Sequence, residues 1–280
     1  MGLRSPEQYK ESLKDGRAVF YRGERVPDVT SHPHLGIAVE HASIDYRVAE
    51  DARYQKLATA KGPNGDLVSR YYHIPRNSDD LLKRSRLIET TTRLGGTLVI
   101  LIKEIGTDAL FALHLIARQT DQKFGTQYYE RVTKFFDHCR ANDLAVAVAQ
   151  TDVKGDRSVG PLGQEHPDYY VHIVRETNEG IVVRGAKAHT SVSVNANEIV
   201  VLPTRNLNEE DRNYAVAFAV SPNTPGLKLI ASPYAEGVSK NEFDYPLSAK
   251  HKMIETLTVF DDVLIPWERV FLKGEWQMAG

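Results

Sequence analysis

The chain has 280 residues, 41% of them hydrophobic and 26% charged, with a formal net charge of −2 at pH 7. This is the ordinary globular mix, enough for one large or two modest domains, and its near-neutral balance gives no electrostatic basis for a nucleic-acid or acidic-membrane partner. One cysteine, Cys139, leaves no intrachain disulfide and no cysteine cluster for zinc or iron–sulfur.

The start, M-G-L-R-S-P, has no apolar signal region, and Pro6 stands where a myristoylation motif needs Ser or Thr. Apolar runs such as Leu98–Ile102 are five residues long, against about 20 for a membrane helix. A cytoplasmic location is the expectation.

In chain order, residues 5–17 read as a short helix with Ser5 as N-cap, Pro6 in the first turn and Gly16 as the stop. Arg22-Gly23 reads as a hairpin tip, residues 30–35 as a turn, and 38–57 as a helix. From Ser78, read as an N-cap with Asp79 and Asp80 behind it, a helical period runs through Leu81, Leu87, Leu94 and Ile102 to Ile105, interrupted at Gly95-Gly96, which either allows close helix packing or marks a bend. Further helices are expected over 108–118 and 127–142. In the second, Tyr128, Val132, Phe135, Phe136 and Cys139 share a stripe, which makes Cys139 a buried filler.

After residue 143 the pattern changes to short β-type runs: 144–149, 169–175, 180–188, 198–204, 214–220, 227–230 and 257–266. Their spacing, with Gly, Asn and Pro between, predicts an antiparallel sandwich or barrel. The fold class is α+β, with a helical domain over 1–143, a β domain over 144–273, and 274–280 as the start of a missing C-terminal region.

No G-x-G-x-x-G, P-loop, G-x-S-x-G or H-E-x-x-H motif is present. His32 and His34 flank a proline, a weak metal signal, and His189 ends a probable strand. More informative is A-Q-T-D-V-K-G-D-R-S-V-G-P, from Ala149 to Pro161, directly after an apolar strand. Gly155 permits a left-handed backbone and close ligand approach. Thr151, Lys154 and Arg157 supply donors, and free backbone N–H groups in such a turn bind oxyanions. The plain alternative is a solvated loop whose acids and bases pair with one another.

Several segments resemble the flavoprotein family of 4-hydroxyphenylacetate 3-monooxygenase and 4-hydroxybutyryl-CoA dehydratase, which is acyl-CoA dehydrogenase-like in architecture. They are S-P-E-Q-Y-K-E-S-L-K-D-G-R from Ser5, G-E-R-V-P-D-V-T-S-H-P from Gly23, T-D-V-K-G-D-R from Thr151, G-I-V-V-R-G-A-K-A-H-T-S from Gly180, N-A-N-E-I-V-V-L-P from Asn195 and V-F-D-D-V-L-I-P-W-E-R-V-F from Val259. The resemblance implies a helical domain, a middle β domain and a C-terminal helical bundle absent here. It implies FAD as cofactor, with Lys154, Gly155, Asp156 and Arg157 along the isoalloxazine and pyrophosphate, Thr151 at its edge, and the Thr190 and Ser191 hydroxyls near the ring.

The departures matter as much. The dehydratase's thiolates would stand at Ile100 and Glu104, with its remaining ligands beyond residue 280, so no iron–sulfur cluster is expected. The monooxygenase's phenol-holding Arg and Tyr are missing from G106-T-D-A-L110. Val148 replaces a His that serves its oxygenation step. Glu104 is then a candidate general base, its carboxyl raised by burial, unless it pairs with Lys103 or Arg93. His189 is a second catalytic candidate.

The expected function is a flavin-dependent, two-component monooxygenase acting on an aromatic substrate with reduced flavin from a separate reductase. The alternatives are a dehydratase or isomerase acting on a CoA thioester, and a non-catalytic split subunit. A C-terminal helical subunit or segment and further copies of the chain are the expected partners.

Overall fold

The computed structural model describes residues 2–233 and 242–279; Met1 and Gly280, at the outer ends of the expected first and last segments, lie outside the described residues. The first helix, α1 (Pro6–Glu11), begins at a capping box in which Ser5 Oγ accepts from Gln8 N and Gln8 Oε1 accepts from Ser5 N. It is shorter than expected. Strands β1 (Val19–Tyr21) and β2 (Glu24–Val26) follow, joined by Arg22 and Gly23 at φ 53° and 86°. Two left-handed residues are what a type I′ turn demands.

The region read as one helix over 38–57 is three: α2 (Leu35–Ala42), α3 (Ile44–Glu50) and α4 (Gln55–Ala58). The first break is at Ser43, whose hydroxyl donates to the Glu40 carbonyl at 2.6 Å and so competes with the backbone ladder. Asp51 is extended and accepts from Arg53 N, which ends α3. A small hairpin, β3 (Thr59–Lys61) and β4 (Leu67–Ser69), comes next.

Helix α5 (Ser78–Leu94) is capped by Asn77, not Ser78: the Asn77 side chain accepts from Asp80 N. It ends at the Gly95-Gly96 pair rather than bending there. A Cβ on Gly95 would lie 2.6 Å from Leu98 O and 2.7 Å from His41 Cε1, so only glycine lets the chain fold back this tightly. Residues 95–103 are irregular, and helix α6 (Glu104–Phe124) starts afresh, longer at both ends than expected. Helix α7 (Tyr128–Ala141) buries the whole predicted stripe, and burial pushes the Cys139 thiol well above its usual range.

The remaining strands are β5 (Val146–Ala149), β6 (His172–Glu176), β7 (Gly180–Lys187), β8 (Glu198–Val201), β9 (Val216–Val220), β10 (Leu227–Ala231), β11 (Thr256–Pro266) and β12 (Val270–Lys273). They form a four-stranded sheet, β12-β9-β8-β5, and a six-stranded sheet, β2-β1-β10-β11-β7-β6. Pairing is mostly antiparallel, but β5 runs parallel to β8, and β1 parallel to β10. The N-terminal hairpin is therefore an edge of the second sheet.

Side chains of the four-stranded sheet alternate between two cores. Val146, Val200, Ala217 and Ala219 face Leu110, Ala117, Phe135 and Phe136 of α6 and α7. Ala147, Ile199, Phe218 and Val220 share the other core with Leu229, Phe260 and Val263 of the six-stranded sheet. Phe218 and Phe260 meet edge to face across it at 5.7 Å. Buried on both sides, β9 is apolar throughout and β8 is apolar after Glu198, whose buried carboxylate pairs with Arg269 at 2.6 Å.

Where the helices meet β5, a charge cluster is buried. Lys103 Nζ donates to Asp143 Oδ1 at 2.7 Å and lies 3.7 Å over the Tyr46 ring, and neither partner is exposed by more than 2%. Beside it Asp45 is buried, its Oδ1 accepting from the Tyr71 hydroxyl at 3.3 Å and its Oδ2 without a partner among the described residues. Burial pushes the Asp45 carboxyl up to about 7, with the Lys103 charge opposing.

Two outcomes follow. Asp143→Ala strands a buried ammonium and is expected to cost about 3–5 kcal/mol in chemical unfolding; adding Lys103→Met in an Asp143→Asn background should recover most of the loss. Asp45 holds its proton to higher pH in the folded state than in the unfolded one. Its contribution to stability is therefore fully present below about pH 4 and is lost as the pH rises to about 7. Asp45→Asn should flatten that decline in melting temperature between pH 5 and 8, and parallel pH profiles would refute the assignment.

Candidate functional site

Strand β5 ends at Ala149, and the chain then leaves the sheet between β7 and β8 under tight control. Lys187, buried at the end of β7, donates to Asp152 Oδ1 at 2.6 Å and to the carbonyls of Gln150 and Leu202 at 2.8 Å each. The Thr204 hydroxyl sits against Asp152 Oδ2 and accepts from Asp152 N at 3.2 Å. Ala188 N donates to Thr151 O at 2.8 Å. Desolvation lowers the Lys187 pKa while the Asp152 charge opposes the shift.

Beyond this anchor, Lys154 and Gly155 are consecutive left-handed residues, at φ 80° and 56°. The Gln164 side chain closes the turn, accepting from Asp156 N at 2.9 Å and donating to Asp156 O at 2.7 Å. The Tyr170 hydroxyl donates to Lys154 O at 3.1 Å, and Asp156 Oδ1 accepts from both N and Oγ of Ser158. The result is an open cavity of about 310 Å³ lined by Lys154, Arg157, Tyr170, Thr204 and Arg205. Three cations and two hydroxyl-bearing side chains, with no carboxylate in the lining, suit the oxygens of a phosphate or pyrophosphate.

The loop residues named from sequence are thus brought together, though in unequal roles. Lys154 and Arg157 line the cavity. Asp156 is exposed and caps its own turn, and Gly155 supplies the bend. Thr151 joins the loop to the segment after β7, which carries His189, Thr190 and Ser191.

Of these three, His189 is exposed and held at φ 54°. Thr190 is fully buried, and its hydroxyl accepts from Thr258 in a chain that continues through Thr256 to Ser193. Ser191 Oγ donates to Glu255 Oε1 at 2.8 Å, and Glu255 Oε2 is buried without a partner among the described residues.

Glu104 stands apart. It opens α6, whose first turn lies against Val146, so close that a Cβ on Gly106 would come within 2.3 Å of Val146 O. The loop leaves the other end of β5, three strand steps or roughly 10 Å farther on. Desolvation raises the Glu104 pKa, and Arg84 is the cation that opposes the shift. The partners suggested by sequence are engaged elsewhere, Lys103 with Asp143 and Arg93 with Glu89.

Asp152 and Asp156, whose plain reading was to pair with Lys154 or Arg157, instead hold Lys187 and Ser158, and Lys187, Gln164, Tyr170, Thr204 and Arg205 were not marked as site residues by the sequence. Only the lysine within the apolar strand G-I-V-V-R-G-A-K-A was a signal, since a buried lysine demands a partner. His32 Nδ1 accepts from Leu35 N at 3.2 Å, while His34 stacks on Tyr21 and its Nδ1 lies 3.3 Å from Lys252 Nζ.

A family model described as the N terminal of 4-hydroxyphenylacetate 3-hydroxylase matches residues 5–272. The chain belongs to that family. It is 35% identical to the 4-hydroxybutyryl-CoA dehydratase/vinylacetyl-CoA-Δ-isomerase of Clostridium aminobutyricum over 99% of its own length and 57% of the relative's. Among solved structures it superposes on an oxygen-tolerant archaeal 4-hydroxybutyryl-CoA dehydratase from N. maritimus with a TM-score of 0.92 at 31% identity, covering 99% of this chain and 55% of that one. It superposes on the oxygenase component of 4-hydroxyphenylacetate 3-monooxygenase in complex with FAD with a TM-score of 0.84 at 29% identity, covering 99% and 56%. The chain spans little more than half the length of these relatives. No helix among the described residues is long and apolar enough to cross a membrane.

Gly155→Ala tests how tightly this family member's loop is held. The new Cβ would lie 2.3 Å from Gln164 Oε1 and 2.6 Å from Tyr169 Cδ2, at a φ that disfavours any side chain. The expected cost is about 1–3 kcal/mol; a melting temperature equal to the parent's would show that the loop is loose.

Proposed function

We propose that this chain is the flavin-holding part of a two-component oxygenase, with reduced FAD delivered by a reductase and a small aromatic compound as substrate. The observation that carries this reading is the cavity beside the left-handed Lys154-Gly155 turn, lined by Lys154, Arg157 and Arg205. When bound, the flavin supplies the redox chemistry. The chain's residues supply position and charge: the three cations would take the pyrophosphate, and Thr151, Thr190 and Ser191 would border the ring system. The Thr190 hydroxyl is already oriented by its buried hydroxyl chain, which favours a positioning role. His189 and Glu104 remain candidates for moving protons, Glu104 because burial keeps its carboxyl closer to neutrality. A C-terminal helical segment and further copies of the chain would complete the site.

A second reading, a dehydratase–isomerase acting on a CoA thioester, is supported by the 35% identity and the TM-score of 0.92. Against it, Ile100 lies in the apolar core and Glu104 carries no thiolate.

Titration of the chain with FAD, together with a helical C-terminal partner, is expected to give a bound-flavin spectrum. Lys154→Ala and Arg205→Ala should each weaken it by about 10-fold, the scale of one charge-assisted hydrogen bond. Oxygen uptake with reduced FAD and a phenol supports the oxygenase. Stoichiometric iron and sulfide would support the dehydratase instead. If no flavin binds, both readings fail and a non-catalytic subunit is left.

A further inference from the structure

A second basic cavity lies away from the loop. The β3–β4 hairpin, the turn before α5 and the end of α7 enclose about 280 Å³, lined by Lys61, His73, Arg76 and Arg140 around Val68 and Tyr72. No carboxylate is in that lining. Of the acids nearby, Asp66 Oδ1 lies against Gly62 of the hairpin, 2.6 Å from where a Cβ on it would stand, and Asp80 Oδ2 accepts from Arg76 N at 3.1 Å and stands 3.4 Å from His73 Nε2, so it holds both residues of the turn in place. Arg140 is partly neutralised by Asp137 at 2.8 Å. The side chains of Lys61 and Arg76 are in no ion pair among the described residues. The Tyr72 hydroxyl is committed to Leu144 O at 2.6 Å, so what Tyr72 offers the cavity is ring surface.

An apolar floor beneath a cationic rim selects for a particular chemistry. The cations favour a carboxylate or phosphate, Arg76 and Arg140 by forked donors and Lys61 as a point charge. The floor favours a compact apolar body, and the volume limits it to a small molecule.

We infer that this cavity binds a small organic anion, a carboxylate or phosphate monoester on an apolar body, at a site separate from the flavin loop. Lys61 ends β3 and Arg76 lies in the segment before α5, both with exposed side chains, so Lys61→Ala/Arg76→Ala should fold with an unchanged melting temperature. Calorimetric titration would use three probes of similar shape: phenylacetate, phenyl phosphate and neutral 2-phenylethanol. At least one anion is expected to bind, at least 10-fold more weakly to the double variant, while 2-phenylethanol does not bind at the same concentration. Which anion binds more tightly separates a carboxylate from a phosphate ligand. Binding should persist in Lys154→Ala/Arg205→Ala. Loss in that variant would move the anion to the loop cavity and overturn the inference. So would no anion binding, equal binding to the Lys61/Arg76 variant, or equal binding of the alcohol.

Discussion

The ammonium of Lys187 has three N–H donors, and buried between the sheets it meets three acceptors: Asp152 and the carbonyls of Gln150 and Leu202. An unpaired charge there would be prohibitively costly, so the pairing is obligatory. Those acceptors lie just past the ends of β5 and β8, while Lys187 ends β7 in the other sheet. One side chain therefore fixes where the two sheets meet and where the loop departs. The cationic turn at Lys154-Gly155, the Gln164 clamp and the cavity under Arg205 all hang from that anchor.

The same logic governs the helical side. Lys103 and Asp143 join the start of α6 to the segment entering β5, and α6 packs against Val146 so closely that Gly106 can carry no side chain. The segments on either side of β5 are thus each pinned by a buried ion pair, Lys103–Asp143 before it and Lys187–Asp152 after it, rather than by apolar packing alone. Apolar packing tolerates sliding, whereas a paired buried charge does not. This bears on function, because a cofactor cradle is only as well placed as the strands that carry it. The two basic cavities differ in this respect: one hangs from a buried anchor, the other from the exposed turn organised by Asp80.

Much of the candidate loop was legible. Thr151, Lys154, Gly155 and Arg157 stand together after an apolar strand, and glycine among cations already suggests an oxyanion site. The clamp was not legible, since Gln164, Tyr170 and Arg205 are distant in sequence and of types common on any surface. Glu104 was legible as an unusual acid on an apolar segment, but its distance from the loop depends on the length of β5 and on which end of it α6 covers. Thr190 was placed near the flavin by resemblance alone; its burial in a hydroxyl chain with Thr256 and Thr258 requires β11 to lie alongside it.

Local chemistry by itself determined the capping box at Ser5, the I′ turn at Arg22-Gly23, the buried stripe of α7 and the run of β strands after residue 143. Each is decided within a few residues, by hydrogen-bond geometry or by hydrophobic period. Only the tertiary structure decided that β1 pairs in parallel with β10, some 200 residues away, that Gly95 ends a helix instead of bending it, and that Lys187 meets Asp152. These depend on which surfaces are covered when the sheets close, and a buried charge or a missing Cβ acquires its meaning only once its neighbours from distant parts of the chain have arrived.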